Sequence, residues 1–194
     1  MKINVCETPN PLSIKFMPES ASIYPLGMEP SRTFFIMGDA CLTSPFAKEV
    51  LAIQGIQGVF LGRDFITVTK TPQYEWDDLK RQTLEIIERY IKDKKPFFIV
   101  SETKIKEPTD KDLGVEKQIK EVINTRVRPF VQQDGGDISL ESFRDGVVYV
   151  RMLGACSGCP SAFVTLKGGI ERLLQHYVPE VKSVEAVTPG YTPA

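Results

Sequence analysis

Long hydrophobic runs are missing from this sequence of 194 residues. The longest purely apolar stretches, such as residues 97–100, are far shorter than the roughly 20 residues that a helix needs to cross a bilayer. The first residues also lack the apolar core of a signal peptide and an Arg- and Ser-rich presequence. The sequence therefore predicts neither a membrane protein nor a targeting segment at its start.

An excess of charge of either sign is missing as well. Lys and Arg together number 24, against 25 for Asp and Glu. No basic stripe is therefore available to bind a phosphate backbone. We expect no nucleic-acid partner.

Cysteine is scarce. Four cysteines in a chain of 194 residues are far below the density of a disulfide scaffold, and thiols in such chains usually lie in a reducing compartment. This predicts an intracellular protein, and the bacterial cytoplasm is the first expectation. A mature mitochondrial matrix chain, trimmed of its targeting peptide, would have the same features and is the alternative.

A polar stretch divides the sequence into two halves. Residues 101–114 are rich in charged and turn-forming residues and poor in residues that fill a core. We interpret them as a linker between an N-terminal domain, residues 1–100, and a C-terminal domain, residues 115–194. The hydrophobic share of 42% suits ordinary globular cores in both.

The N-terminal half mixes strand and helix patterns. Aromatic and β-branched residues at 32–37 favour a strand. Ser44 and Pro45 suit the N-cap and the first position of a short helix. A hairpin over residues 59–69 and a longer helix over residues 76–95 are predicted to follow.

The C-terminal half predicts the order helix, strand, strand, helix, strand. The first helix begins near Val115, and Pro129 should distort its last turn. Strands over 138–143 and 147–152 form a hairpin, and residues 181–187 form the last strand. The two halves together predict an α+β fold made of two small domains that each mix helices and strands.

Apolar spacing also predicts which helix residues face the core of the C-terminal half. Those expected to be buried are Ile119, Val122, Ile123, Val127 and Phe130 in the first helix, and Phe163, Leu166, Ile170, Leu173, Leu174 and Tyr177 in the second. Gly168 and Gly169 interrupt the second helix, which indicates close backbone packing there. His176, the single histidine, is expected at the surface because no partner that could orient it lies nearby in the sequence.

A Cys-x-x-Cys pair lies between the last predicted hairpin and the second helix, in the segment Gly154-Ala-Cys-Ser-Gly-Cys-Pro-Ser-Ala162. A tetrahedral zinc or an iron-sulfur cluster normally takes four protein ligands, so Cys156 and Cys159 make half a metal site. The other half could come from a second copy of the chain, from a partner, or from the distant Cys6 and Cys41. The pair could also work as a dithiol without metal. Glycines beside the cysteines allow close approach of a bulky ligand, and a helix N-terminus favours thiolate over thiol.

Several segments resemble one known family. Arg128-Pro-Phe-Val-Gln-Gln-Asp-Gly-Gly-Asp137, the cysteine segment and Leu166-Lys-Gly-Gly-Ile170 are similar to the NifU C-terminal domain. Thr8-Pro-Asn-Pro-Leu-Ser-Ile-Lys-Phe16 and the segment that begins at Ser44 resemble the N-terminal domain of Nfu proteins. The resemblance covers nearly the whole chain.

The resemblance implies a non-enzymatic iron-sulfur scaffold or carrier. It implies that Cys156 and Cys159 bind iron, that two copies share one [4Fe-4S] cluster, and that the cluster comes from an upstream assembly scaffold and passes to apo iron-sulfur proteins. The family pattern gives Cys6 and Cys41 no role. The N-terminal domain and the linker are expected to position the acceptor.

Two other functions use the same thiols. A thiol-disulfide oxidoreductase also places Cys-x-x-Cys at a helix N-terminus, but no Trp precedes Cys156, and Pro160 follows the second cysteine instead of lying between the two. A structural zinc protein would bind the metal through two such pairs or recruit Cys6 and Cys41.

Overall fold

The computed structural model of the chain describes residues 2–19, 23, 34–36, 44–98, 113–157 and 160–187. The chain divides into two compact units, an N-terminal unit, Met1–Glu102, and a C-terminal unit, Thr103–Ala194. Both contain helices and strands, which confirms the α+β fold class. The predicted linker, residues 101–114, lies almost entirely outside the described residues, so its bounds stay a prediction.

The N-terminal unit is built on an antiparallel sheet in the order β1-β2-β5-β4-β3. The strands are β1 (Ile3–Glu7), β2 (Ser13–Pro18), β3 (Phe34–Ile36), β4 (Ile56–Leu61) and β5 (Ile66–Lys70), with helices α1 (Pro45–Leu51) and α2 (Trp76–Lys92). The structure thus confirms the predicted strand at residues 34–36, both helices, and the hairpin, which begins three residues earlier than expected.

Strands β1 and β2 form a hairpin that was not predicted. The turn between them is closed by side chains, since Thr8 Oγ1 donates to the Asn10 carbonyl at 2.9 Å and Leu12 N–H donates to Asn10 Oδ1 at 3.0 Å. Nearly every residue of β2 is buried. Residues 13–16 read Ser-Ile-Lys-Phe, a polar and apolar alternation that is typical of a strand and was the available signal in the sequence.

Ser44 joins the start of α1 to the segment that follows α2. Its Oγ accepts from Ala47 N–H at 3.0 Å, as expected for an N-cap, and donates to the Phe97 carbonyl at 2.7 Å. The Phe97 ring packs on Phe46 with centroids 4.9 Å apart, and Tyr90 meets Phe46 edge-on at 5.2 Å. One hydroxyl therefore fixes the end of this unit to its aromatic core.

The C-terminal unit follows the predicted order of elements. Its helices are α3 (Leu113–Val122), α4 (Arg128–Gln133) and α5 (Pro160–Tyr177), and its strands are β6 (Gly136–Arg144), β7 (Val147–Gly154) and β8 (Ser183–Val187). Strand β7 lies in the middle, antiparallel to β6 and parallel to β8. The hairpin turns through Asp145 and Gly146, both at positive φ.

A π-helical turn, Ile123–Val127, separates α3 from α4. Pro129 has no N–H for the helix ladder and its ring crowds the preceding turn, and Arg128 N–H instead bonds to the Ile123 carbonyl, five residues back. This confirms the predicted distortion. The wider turn places Val131 in the core at 2% exposure and leaves Phe130 67% exposed, so the prediction that Phe130 is buried was wrong.

Two further expectations for α5 were wrong. Tyr177 is 44% exposed, although Ile170 and Leu174 of the same predicted face are buried. A Cβ built on Gly168 or Gly169 would meet no atom within 4 Å in the part of the chain that the structure describes, so close backbone packing does not account for these glycines. No helix among the described residues is long and apolar enough to cross a membrane.

We predict that Val131→Ala destabilises the C-terminal unit by about 2 kcal/mol, because it removes buried methyl groups and leaves a cavity. Phe130→Ala, one position away, should change the free energy of unfolding by less than about 0.5 kcal/mol. Urea unfolding followed by circular dichroism checks this pair. The single tryptophan, Trp76, lies in the N-terminal unit and separately reports on that unit. Equal costs for the two variants would contradict the π-turn account.

We predict that Ser44→Ala destabilises the N-terminal unit by about 2 kcal/mol, because it removes the cap of α1 and leaves the Phe97 carbonyl without this donor. Glu75→Ala is the matched control, since Glu75 occupies the N-cap position of α2 but makes no side-chain cap bond. The control should stay within about 0.5 kcal/mol of the unaltered chain. Urea unfolding followed by Trp76 fluorescence measures both.

Candidate metal centre

The predicted cysteine pair lies between β7 and α5. Cys156 occupies a turn, residues 155–157, that follows the last residue of β7, and α5 begins at Pro160 as predicted. Cys159 and Cys41 lie outside the described residues. Cys6 is partly exposed on β1 of the N-terminal unit. Of the two predicted ligands, the structure therefore places Cys156.

The turn that carries Cys156 is fastened to the start of β6. Ala155 N–H donates to the Gly135 carbonyl at 3.1 Å, and Ser157 N–H donates to the Gly154 carbonyl at 3.0 Å. Gly154 has φ +60° and Gly135 has φ +77°, a backbone region that glycine enters without strain. These glycines let both strands bend where the turn meets them.

Cys156 is buried at 8% exposure and belongs to the core of the C-terminal unit. Its side chain lies against Gly136, which pairs with Gly154 across the hairpin. A Cβ on residue 136 would overlap Cys156 Sγ and would lie 3.0 Å from its Cβ and 3.1 Å from its backbone nitrogen. Glycine at 136 therefore leaves a notch that the thiol fills, and we call it the Gly136 notch.

A hydrogen-bonded network holds the strand that forms this notch. The Asp137 carboxylate, 1% exposed, accepts from Arg128 Nε at 2.9 Å and from Gln132 Nε2 at 3.0 Å. It also accepts from Ile138 N–H at 2.6 Å, and the Arg128 guanidinium donates to the Ile138 carbonyl at 3.2 Å. Helix α4 is thereby tied to β6 at the residue that follows Gly136.

The sequence reasoning missed this network and the notch. Gly135 has the positive φ of a residue that ends a helix, and this local role leaves Gly136 unexplained. Arg128, Gln132 and Asp137 were noticed as parts of a family motif without a role. The spacing of Arg128 and Gln132 by four residues, which puts both on one helix face, is the signal that could have linked them.

The chemistry available at the turn is that of a thiol donor. Among the described residues, no group of three or more His, Cys, Asp or Glu side chains is placed to hold a metal ion. His176 is exposed, with its ring edge-on to Tyr177 at a centroid distance of 4.9 Å, which confirms its expected place at the surface. The described part of one chain thus offers Cys156 as a ligand but not a complete site.

Two family models match the sequence. The NifU-like domain matches residues 119–185, and the N-terminal domain described as scaffold protein Nfu/NifU N terminal matches residues 3–94. The first contains α4, the notch and both cysteines of the pair. The second contains the sheet and both helices of the N-terminal unit.

Curated relatives match nearly the whole chain. NifU-like protein 5, mitochondrial, from Arabidopsis thaliana is 43% identical over 190 residues, which are 95% of this chain and 67% of that protein. The human NFU1 iron-sulfur cluster scaffold homolog, mitochondrial, is 39% identical over 189 residues, or 96% of this chain and 72% of that protein. The chain spans about two thirds of the length of such relatives.

The names of these relatives place them in mitochondria. This opposes the expectation of a bacterial cytoplasmic protein and supports the mitochondrial alternative.

A solved structure of a NifU-like protein from Saccharomyces cerevisiae superposes with a TM-score of 0.45 at 19% identity, over 50% of this chain and 84% of that one.

We predict that Asp137→Ala destabilises the C-terminal unit by about 3 kcal/mol, because it leaves Arg128 without its buried counter-charge and removes the acceptor of the Gln132 Nε2 and Ile138 N–H bonds. Glu185→Ala is the control in the same unit. Its ion pair with Lys167 is also 3.0 Å long, but the Glu185 side chain is 50% exposed, so the cost should stay below about 1 kcal/mol. Urea unfolding followed by circular dichroism measures the free energy of unfolding of both variants. A cost for Asp137→Ala as small as that for Glu185→Ala would contradict the prediction.

Proposed function

This chain belongs to the Nfu family of NifU-like proteins, and from that membership we propose that it is an iron-sulfur cluster scaffold and carrier. Its cargo is a [4Fe-4S] cluster that two copies of the chain hold between them. Cys156 and Cys159 of each copy bind the iron, and the cluster then passes to apo iron-sulfur proteins. The role is one of binding and transfer, without a catalysed reaction.

The observation that carries the proposal is the incomplete ligand set. A [4Fe-4S] cluster takes four thiolates, whereas the Cys-x-x-Cys segment supplies two. Within the residues that the structure describes, no His, Asp or Glu group around Cys156 completes a site. Two copies of the chain would bring the count to four without any ligand from Cys6 or Cys41.

The surroundings of Cys156 suit a thiol that is held by backbone. The turn at 155–157 is bonded to Gly135 and Gly154, and the Asp137 network fixes β6 beside it. Protein groups that orient a metal ligand contribute to its affinity. The bond to Gly135 and the Asp137 network would do so for Cys156, by fixing the turn and the strand beside it.

A cluster shared by two chains can leave more easily than one enclosed by a single chain. When the two copies separate, the irons that were bound by one copy become accessible to the acceptor. An acceptor thiolate then binds an iron as a carrier thiolate leaves it, and the freed cysteine takes up a proton. The iron and sulfide content of the cluster does not change in this exchange.

We assign the parts of the chain accordingly. Residues 1–100 form an N-terminal domain that helps to position the acceptor, residues 101–114 a linker, and residues 115–194 the cluster-binding domain. The division into units Met1–Glu102 and Thr103–Ala194 supports this assignment. The mitochondrial relatives favour the mitochondrial matrix as the compartment, with an upstream assembly scaffold as the source of the cluster.

Anaerobic cluster reconstitution tests the proposal. The unaltered chain should become brown and contain about four irons and four sulfides per two chains. Cys156→Ser should stay colourless, because each copy then loses one of its two thiolates. Cys6→Ser is the matched control, since Cys6 lies in the N-terminal unit, and it should load as the unaltered chain does.

Two other results would contradict the carrier function. A colourless chain that binds zinc in equal amounts with and without iron present would indicate a structural zinc site. A chain that takes up no metal but forms and breaks a Cys156–Cys159 disulfide would indicate an oxidoreductase.

A further inference from the structure

We infer that Gly136 is a positioning residue for Cys156, and that its notch holds the thiol inside the C-terminal unit until a cluster binds. The inference deepens the proposed function and rests on it for its biological meaning. Its structural part concerns the chain without cluster and stands on the contact between two residues.

The first step is the fit of the thiol to the notch. Cys156 Sγ occupies the space that a Cβ at residue 136 would take, and the Cys156 backbone nitrogen lies 3.1 Å from that point. The overlap is with the sulfur itself, so an alanine at 136 would have to displace the Cys156 side chain. The space beside Gly136 therefore accommodates the Cys156 thiol only while residue 136 has no side chain.

The second step is that the notch is rigid. Residue 136 forms the end pair of the β6-β7 ladder with Gly154, and the next residue, Asp137, carries the network to Arg128 and Gln132. A displaced thiol could not be accommodated by moving β6 without breaking those bonds. The side chain of Cys156, on a turn at the end of β7, is therefore the part that has to shift.

The third step concerns access to the thiol. At 8% exposure Cys156 shares the core with residues such as Ile138, Val150 and Leu174. An iron held between two chains must bond directly to Sγ, which requires the sulfur at the surface of the unit. Cluster binding therefore moves Cys156 out of the Gly136 notch, and release of the cluster lets the thiol return to its buried position there.

The test is alkylation of the full, reduced, cluster-free chain by iodoacetamide, resolved to single cysteines by peptide mass spectrometry. In the unaltered chain, Cys156 should react at least about tenfold more slowly than the partly exposed Cys6, because the thiol must first open from the core. Gly136→Ala should raise the Cys156 rate by about tenfold or more and leave the Cys6 rate unchanged, because only the notch is filled.

A matched variant separates positioning from general loss of stability. Ile119→Val removes one methyl group from the same core, at a residue with 0% exposure, and should cost about 1 kcal/mol. When the alkylation rates are compared at the same measured free energy of unfolding, Ile119→Val should raise the Cys156 rate far less than Gly136→Ala does. Equal rates in these two variants, or an unchanged Cys156 rate in folded Gly136→Ala, would overturn the inference.

A second variant covers the case in which Gly136→Ala does not fold. Asp137→Asn keeps the shape of the side chain but weakens the network that fixes β6, and it should raise Cys156 alkylation without changing Cys6. No rise would count against the inference. Because no cluster is present in any of these experiments, their outcome is independent of whether reconstitution succeeds.

Discussion

The buried Asp137 carboxylate is the interaction on which the proposed metal centre depends. It binds the side chains of α4 and the backbone of β6 at the point where the chain reaches Gly136. Since an unpaired buried carboxylate is costly, α4 and β6 are held together as long as Arg128 and Gln132 remain. The turn with Cys156 is hydrogen-bonded to Gly135, directly before the strand that this network fixes. The position of the Cys156 thiol therefore depends on the Asp137 carboxylate through the backbone of β6.

Carboxylates also accept hydrogen bonds from backbone N–H groups at the two outer strands of the C-terminal sheet. Glu116 of α3 accepts from Phe143 N–H of β6 at 3.2 Å, and Glu171 of α5 accepts from Val184 N–H of β8 at 2.9 Å. These carboxylates occupy backbone donors of the two outer strands, which are otherwise templates for pairing with another chain.

Local signals in the sequence predicted most of the fold, and contacts between distant residues account for what they missed. Ser44-Pro45 and Asp145-Gly146 act within a few residues, so their cap and turn could be recognised from the sequence. The alternation of β2 is short, since it covers only residues 13–16. The π turn before Pro129 shifted the buried position from Phe130 to Val131. Cys156 was identified by its spacing from Cys159. The need for glycine at 136 was not, because it arises only when the hairpin brings Cys156 onto it.

The central claim is that two chains share one cluster, and native mass spectrometry of a mixed sample tests it most directly. Equal amounts of ¹⁵N-labelled and unlabelled chain would be mixed, reconstituted anaerobically and sprayed without denaturation. The account predicts that the [4Fe-4S] mass appears on dimers, including dimers of one labelled and one unlabelled chain, and that these dimers separate when a chelator removes the iron. A [4Fe-4S] cluster carried by single chains would contradict it.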